Sequence, residues 1–434
     1  MNVILDGERS RRWVPFAKNK LQAIKDIGIS AKSIVINGYS IRLLALDDID
    51  KIHITAPPYT SVGAGHNHVM MADPTGARWV WGNNGYGQLG VGDTVARDLI
   101  TRVEGESQWA MFASGRSAQS AGIKRDGTLW VWGKNYPYSS TELEGALGLG
   151  PGTGSYVGWP TELLPGTKWA YVTTSSSDTS MYAIKIDGTL WCWGLDLGYL
   201  GFGPVTATIV RAPTQVGTDS DWRTVSAHTN GAMAIKRDGT LWAVGQNRFG
   251  ALGLGDDVPR YSFTQVGTDR WRKVFVGFDS AVGIKEDGTL WATGDTYYPG
   301  PVGYAFTQIS EATNWVDITG DEITLLALNS DGVLYSAGYL CWPILGRGAQ
   351  PLCTPDYFGP EGRSPLAEVG NYGTNCGIFS TQFTALAVGP AGKQWVWGLI
   401  PGEPIATNGF YTPYEIVGAR LMLPAAEPLS PPWV

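Results

Sequence analysis

The chain has 434 residues, 43% hydrophobic and 16% charged, with 58 glycines and 19 tryptophans, which excludes a disordered chain and favours many short strands joined by tight turns. Its net charge of −7 is uneven, because residues 1–55 hold nine Lys/Arg against six Asp/Glu while the rest hold 23 against 33. An acidic body speaks against nucleic acid as a partner, and no apolar run reaches the roughly 20 residues that would insert in a membrane.

The N-terminal phrase MNVILDGERSRRW lacks the apolar stretch of a secretory signal, so synthesis in the cytoplasm without a signal peptide is expected. In residues 16–28, Phe16, Leu21, Ile24 and Ile27 stand at near-helical spacing before Gly28, which predicts a short helix. Residues 33–46 alternate around Asn37–Gly38, a strong hairpin signal, and residues 50–55 read as a third strand. This α+β segment, residues 1–55, is too small for a stable core of its own. It is expected to dock on the remainder or to anchor the chain to another protein, with Arg11, Arg12, Trp13 and Phe16 as candidate anchor residues.

From residue 56 onward one phrase recurs. A segment ending in aromatic-x-aromatic-Gly, or a drifted form of it, closes on Gly82, Gly133, Gly194, Gly245, Gly294, Gly338 and Gly398. DGTLW opens four of these segments, giving the turn pairs Asp126–Gly127, Asp187–Gly188, Asp238–Gly239 and Asp287–Gly288. Asp-Gly suits a two-residue hairpin in which both central residues take positive φ. TLWVW is apolar on both faces, so the strand must be covered on both sides by neighbouring sheets. A glycine-rich phrase follows, such as NNGYGQLGVGD at 83–93, and then a short extended phrase such as PTQV at 213–216. Five or six residues later stands Trp109, Trp169, Trp222, Trp271 or Trp315. Each unit therefore offers about four strands, the content of a propeller blade. PYEIV at 413–417 has no further hairpin to serve and is expected to complete the first sheet and close the ring. The fold class is thus all-β: a seven-bladed β-propeller of four-stranded blades over residues 56–423, closed by a C-terminal strand and followed by a Pro-rich tail at 424–434.

AIKRDGTLWAVGQNRFGALGLGDD at 234–257 and ARWVWGNNGYGQLGVGDT at 77–94 resemble repeats of the regulator of chromosome condensation family, over roughly residues 57–423. The resemblance implies a seven-bladed ring and no single activity. Members include a guanine-nucleotide exchange factor for Ran, a plant UV-B photoreceptor, ubiquitin-ligase domains and a bacterial β-lactamase inhibitor. The family often carries a histidine near the start of the second strand. Here His68 offers one, and the corresponding places are read as Ala118, Gly231, Ser280 and Ile323. Trp-Arg occurs at Trp222–Arg223 and Trp271–Arg272, outside the photoreceptor's Gly-Trp-Arg-His-Thr phrase.

No catalytic residue, metal site or cofactor is expected. GLGLGPGTG at 146–154 belongs to the repeat and precedes no helix pattern, so it is no nucleotide cradle. His66 and His68 lack a third ligand nearby, and Asp256–Asp257 do not match a calcium loop. The four cysteines, Cys192, Cys341, Cys353 and Cys376, show no CxxC spacing; free thiols are expected, with Cys341–Cys353 the pair that oxidation would join. Recognition is left to loops that break the repeat, at 135–144, 295–303 and 339–365. Their aromatic residues, Tyr136, Tyr138, Tyr297, Tyr298, Trp342, Tyr357 and Phe358, are the candidate partner-binding set. A basic N-terminal segment before an acidic propeller resembles the layout of phage tail and fibre proteins. The expected function is therefore a non-enzymatic virion-surface component, joined to its assembly through residues 1–55 and recognising a protein receptor or cell-surface glycan through blade loops. The alternative is an intracellular regulator, such as a nucleotide-exchange factor for a small GTPase, or a protein inhibitor of an enzyme.

Overall fold

The computed structural model describes residues 2–7, 10–15, 33–36, 39–42 and 61–415, the last without 66, 74, 106–107, 116–117, 137–143, 176–179, 205–207, 229–230, 278, 296–302, 321–323, 340–344, 346–362, 375, 381–383, 389–393 and 400–408. Near the N-terminus, β1 (Asn2–Gly7), β2 (Ser10–Pro15), β3 (Ser33–Ile36) and β4 (Tyr39–Arg42) form an antiparallel sheet in the order β2-β1-β3-β4. β3 and β4 pair as the expected hairpin strands, with Ile36 opposite Tyr39, while the turn residues Asn37 and Gly38 lie outside the described residues. Arg11, Arg12 and Trp13 lie on β2 opposite Asp6, Leu5 and Ile4, in a hairpin the sequence reading did not anticipate. The expected helix at 16–28, Phe16 included, and the expected strand at 50–55 lie outside the described residues.

The remaining strands repeat one antiparallel meander of four, the layout of a propeller. The first is β5 (Ser61–Ala64), β6 (His68–Ala72), β7 (Arg78–Gly82) and β8 (Arg97–Arg102). The second is β9 (Trp109–Ser114), β10 (Gln119–Lys124), β11 (Leu129–Lys134) and β12 (Tyr156–Glu162). The third is β13 (Trp169–Thr174), β14 (Met181–Lys185), β15 (Leu190–Asp196) and β16 (Thr208–Gln215). A seven-stranded sheet follows, from β17 (Trp222–His228), β18 (Gly231–Lys236) and β19 (Thr240–Gly245) through β20 (Arg260–Val276) to β21 (Ser280–Lys285), β22 (Leu290–Gly294) and β23 (Gly303–Ser310). It is two meanders sharing the 17-residue β20, whose first half pairs with β19 and whose second half pairs with β21. Then come β24 (Trp315–Gly320), β25 (Thr324–Asn329), β26 (Val333–Tyr339) and β27 (Arg363–Asn371). The last meander is β28 (Gly377–Ser380), β29 (Thr384–Val388), β30 (Gln394–Leu399) and β31 (Gly409–Glu415).

The C-terminal strand does not play its expected part. β31 pairs with β30 and finishes the last meander. The first needs no donated strand, because SVGA at 61–64 supplies its first strand and residues 97–102 its fourth.

The DGT turn also differs from a two-residue hairpin. Gly127 N donates to Lys124 O at 2.8 Å and Lys124 N to Thr128 O at 3.0 Å, so three residues turn the chain. Only the glycine is left-handed, at φ 84°, while Asp126 is not among the positive-φ residues. This is a type I turn closed by a left-handed glycine. The aspartate acts through its side chain, accepting from Thr128 N at 2.9 Å and Thr128 Oγ1 at 2.7 Å. The same pair of bonds recurs at Asp187, Asp238 and Asp287. Each threonine in turn accepts from an indole: Trp130, Trp191, Trp242 or Trp291.

The core consists of aromatic rows between meanders. Trp109, Trp132, Trp169, Trp193, Trp271 and Trp397 are buried; each buried indole removes on the order of 200 Å² from water, about 5 kcal/mol. Lys124, Lys185, Lys236 and Lys285 each lie between two indoles, with Nζ of Lys285 3.3 Å from the Trp291 ring centre and 5.3 Å from that of Trp271. The first and last meanders share one cluster, in which Val69, Trp79 and Trp81 pack with Ile378, Leu386 and Trp397.

Two outcomes follow. A Cβ on Gly188, at φ +87°, would stand 2.1 Å from Ser220 O, so Gly188→Ala is expected to lower stability by at least about 2 kcal/mol in urea unfolding. Hydrogen bonds from the threonine side chain and N–H hold the carboxyls of Asp126, Asp187, Asp238 and Asp287 below the usual carboxylate range. Their contribution is present above about pH 4 and lost as pH falls. Changing Thr128, Thr189, Thr240 and Thr289 to valine is expected to move the acid-unfolding midpoint, followed by circular dichroism, to higher pH.

Candidate interaction face and central cavity

Chain direction divides every meander into two ends. In the second, Trp109 at the start of β9 sits opposite Lys124 beside the DGT turn, whereas Ser114 at its end sits opposite Ser120. Gly133, near the end of β11, lies opposite Gln119 at that second end. The glycine-rich phrases therefore share one face with the loops joining first to second strands. The strand ends that the three repeat-breaking segments connect, β11 to β12, β22 to β23 and β26 to β27, lie at that same end.

Of the candidate partner-binding residues, Tyr136 is described. It meets Tyr86 edge-on at 6.2 Å, and Lys134 Nζ lies 4.4 Å from the Tyr136 ring centre and 5.3 Å from that of Tyr86. Burial pushes the Lys134 ammonium pKa down. Tyr138, Tyr297, Tyr298, Trp342, Tyr357 and Phe358 lie outside the described residues, as do Cys341 and Cys353. Cys192 is a buried thiol, and Cys376 is half-buried with its Sγ 3.5 Å from Gly377 O.

The same face carries aromatics that the sequence reading passed over. Trp159 is 58% exposed, with Tyr156 and Tyr86 also exposed nearby. Its indole lies where a Cβ on Gly92 would be, 1.9 Å from the ring, so the bare backbone of one meander is a seat for the next. Tyr199 and Tyr261 stack at 5.9 Å, and Tyr304 is 51% exposed. Trp159 was legible as an irregularity, because in the extended phrase its place is taken elsewhere by Ala212, Ser262 and Ala305.

Backbone bonds fasten each glycine phrase to the fourth strand of the following meander. Gly92 N donates to Gly158 O at 2.9 Å, Gly150 N to Arg211 O at 3.0 Å, Gly203 N to Tyr261 O at 2.9 Å and Gly255 N to Tyr304 O at 2.7 Å. Within the phrase, Asn84 Oδ1 accepts from Leu89 N and Asn247 Oδ1 from Leu252 N, at 2.9 and 2.8 Å.

His68 serves a joint between meanders. Its Nε2 is 3.0 Å from Ser120 Oγ, and Ser120 donates to Gln88 O at 2.7 Å. The serine's one proton is thus engaged, which makes His68 Nε2 the donor. Strand register corrects the expected equivalents: Gln119 and Thr324, opposite Gly133 and Gly338, hold the places read as Ala118 and Ile323. Gly231 and Ser280 stand as read, opposite Gly245 and Gly294. His66 lies outside the described residues, and among the described residues no group of three or more His, Cys, Asp or Glu could hold a metal.

The first strands of all the meanders surround one cavity of about 310 Å³, lined among others by Gly63, Phe112, Tyr171, Ser226, Phe275 and Thr319. At its turn end, Arg223 Nη2 donates to Trp271 O at 2.8 Å, Arg272 Nη1 donates to Trp315 O at 3.2 Å, and Lys273 pairs with Asp317. Each of these contacts crosses from one meander to the next.

No protein-family model matches the chain. It is 28% identical over 211 residues to the ultraviolet-B receptor UVR8 of Arabidopsis thaliana, covering 47% of this chain and 45% of the relative. It is 30% identical over 151 residues to the mitochondrial RCC1 domain-containing protein RUG3 of the same plant, covering 33% and 32%. The chain thus matches less than half the length of either relative. Prp20p of Saccharomyces cerevisiae, whose structure was described with its binding to Gsp1p and histones, superposes with a TM-score of 0.64 at 18% identity, over 86% of this chain and 89% of that one. In its repeats the chain is similar to these two plant proteins, and in fold it is a β-propeller similar to that of Prp20p.

Proposed function

We propose that the chain is a non-enzymatic regulatory protein whose propeller binds another protein on the glycine-loop face. The observation that carries this reading is the cluster of exposed aromatics, Tyr86, Tyr156 and Trp159, on that face, at the end where the strands flanking all three repeat-breaking segments begin and finish. Exposed aromatics held by rigid backbone are typical anchors of protein interfaces. The meanders are read as seven blades closing in a ring. Support comes from the cluster shared by first and last meanders and from the single cavity lined by first strands throughout.

Protein binding by Prp20p and the regulatory relatives favour the alternative drawn from sequence over the virion component. Within the regulatory class, exchange on a small GTPase is the activity to assay first, as faster release of a fluorescent guanine nucleotide.

The face itself is tested by substitution against a partner once bound. Tyr156→Ala with Trp159→Ala is expected to weaken binding at least about tenfold, since a hot-spot aromatic contributes roughly 2 kcal/mol or more, with the melting temperature little changed. Ile186→Ala, at an exposed position 62% accessible beside a DGT turn, is the control on the opposite face. Loss of binding in the control and not in the double variant would reverse the assignment of faces.

A further inference from the structure

Resting on the reading of the glycine-loop face as the binding face, we propose that the partner protein lays a tyrosine side chain into a notch at Gly158, between the first and second meanders. The chain itself supplies the comparison. The hook bonds from Gly92, Gly150, Gly203 and Gly255 end on the carbonyls of Gly158, Arg211, Tyr261 and Tyr304. These four residues therefore hold one place in four successive joints. Three joints carry a large side chain there, and the first carries none.

In two of the filled joints the side chain covers a glycine of the preceding phrase. A Cβ on Gly145 would stand 2.5 Å from Arg211 Cγ, and one on Gly250 would stand 2.7 Å from Tyr304 Cδ1. In another, Tyr261 stacks on Tyr199 at 5.9 Å with the rings 11° apart. The matching glycine of the first joint is Gly87, two residues before Leu89 as Gly145 is before Leu147 and Gly250 before Leu252. A Cβ on Gly87 would have Gly158 Cα at 2.7 Å and Tyr156 Cδ2 at 3.4 Å as its nearest neighbours, so main chain lies where the other joints bring a side chain. Gly158 is half-buried and is not among the left-handed glycines. Beyond its chain neighbours, a Cβ on it would meet no atom nearer than 3.9 Å. The place is open to an incoming group.

Its surroundings select that group. Tyr156 is 46% exposed, and its Cε2 lies 3.9 Å from where a Cβ on Gly158 would be. Exposed Tyr86 precedes Gly87, and the Trp159 indole lies over Gly92. A ring entering here meets an aromatic neighbour, as Tyr261 meets Tyr199. Nearby charges are engaged within the chain: Asp93 pairs with Arg97 at 2.7 Å, and Lys134 is set against the rings of Tyr86 and Tyr136. Aromatic walls with their charges already paired suit a neutral phenol better than the guanidinium found in the second joint. Tyrosine is also a common anchor of protein interfaces.

The test uses the full chain with p-cresol, N-acetyltyrosinamide and methylguanidinium at about 1–10 mM, a range suited to weak binding by a single side chain, read by saturation-transfer NMR. Transfer to both phenols, with little to methylguanidinium, is expected. Gly158→Tyr and Gly158→Arg put into the first joint the side chains of the others. Each is expected to abolish the phenol signal while the melting temperature stays level or rises, because a Cβ there meets no clash. No transfer to either phenol, transfer to methylguanidinium alone, a phenol signal that survives both substitutions, or a marked fall in melting temperature in both would each overturn the proposal. With a partner in hand, Gly158→Tyr is expected to weaken its binding. Unchanged binding in Gly158→Tyr, beside weakened binding in the Tyr156→Ala, Trp159→Ala variant, would discard the notch and keep the face.

Discussion

The structure depends on indoles that no single meander can bury. Trp132 is enclosed by packing against Trp109 and Phe112 within its own sheet, and by Leu89 and Gly90 from the meander before it. Trp193 is closed in the same way by Leu147 and Gly148. A glycine is required at those points because a Cβ on Gly90 or Gly148 would stand 2.7 Å from the indole. The glycine phrase and the tryptophan are therefore one feature split between neighbours, and stability is distributed along the series as nearest-neighbour terms.

The charged groups follow the same logic. Each lysine of the DGT turns sets its ammonium against the faces of two indoles. Burial pulls the Lys185 pKa down, whereas for Lys236 the hydrogen bonds its ammonium donates to the Asp219 and Asp221 carboxylates outweigh burial and push it up. At the cavity mouth Arg223 and Arg272 give their donors to main-chain carbonyls of the following meander. Charge here joins units more than it decorates a surface.

Much of this was legible in the sequence, and for physical reasons. DGTLW announces a turn and a strand covered on both sides, and Trp109, Trp169, Trp222, Trp271 and Trp315 all prove buried. The errors came where spacing cannot report geometry. Asp-Gly fits two turn types, and only the bond from Gly127 N to Lys124 O shows that Asp126 works by its side chain. The C-terminal strand was misplaced because SVGA, four small or apolar residues without a flanking signal, gave little notice of β5. The equivalents of His68 slipped by one residue at Gln119 and Thr324, since a loop of variable length precedes each second strand. The lysine two residues before each aspartate was present in every DGTLW copy, and its place between indoles was open to being read. The notch at Gly158 was not legible, because only the contacts over Gly145 and Gly250 show where Arg211 and Tyr304 lie.

The bonds from Gly92, Gly150, Gly203 and Gly255 to the following fourth strand involve main chain on both sides. They fix where each loop ends without specifying what it contains. In the second meander the extra residues at 135–144 enter upstream of Gly150, so the loop lengthens while its landing point stays put. Such an arrangement separates the grammar of the ring from the vocabulary of its rim. Lineages could exchange whole loops, and a designer could graft them, with the hook glycine and its carbonyl partner as the only fixed terms.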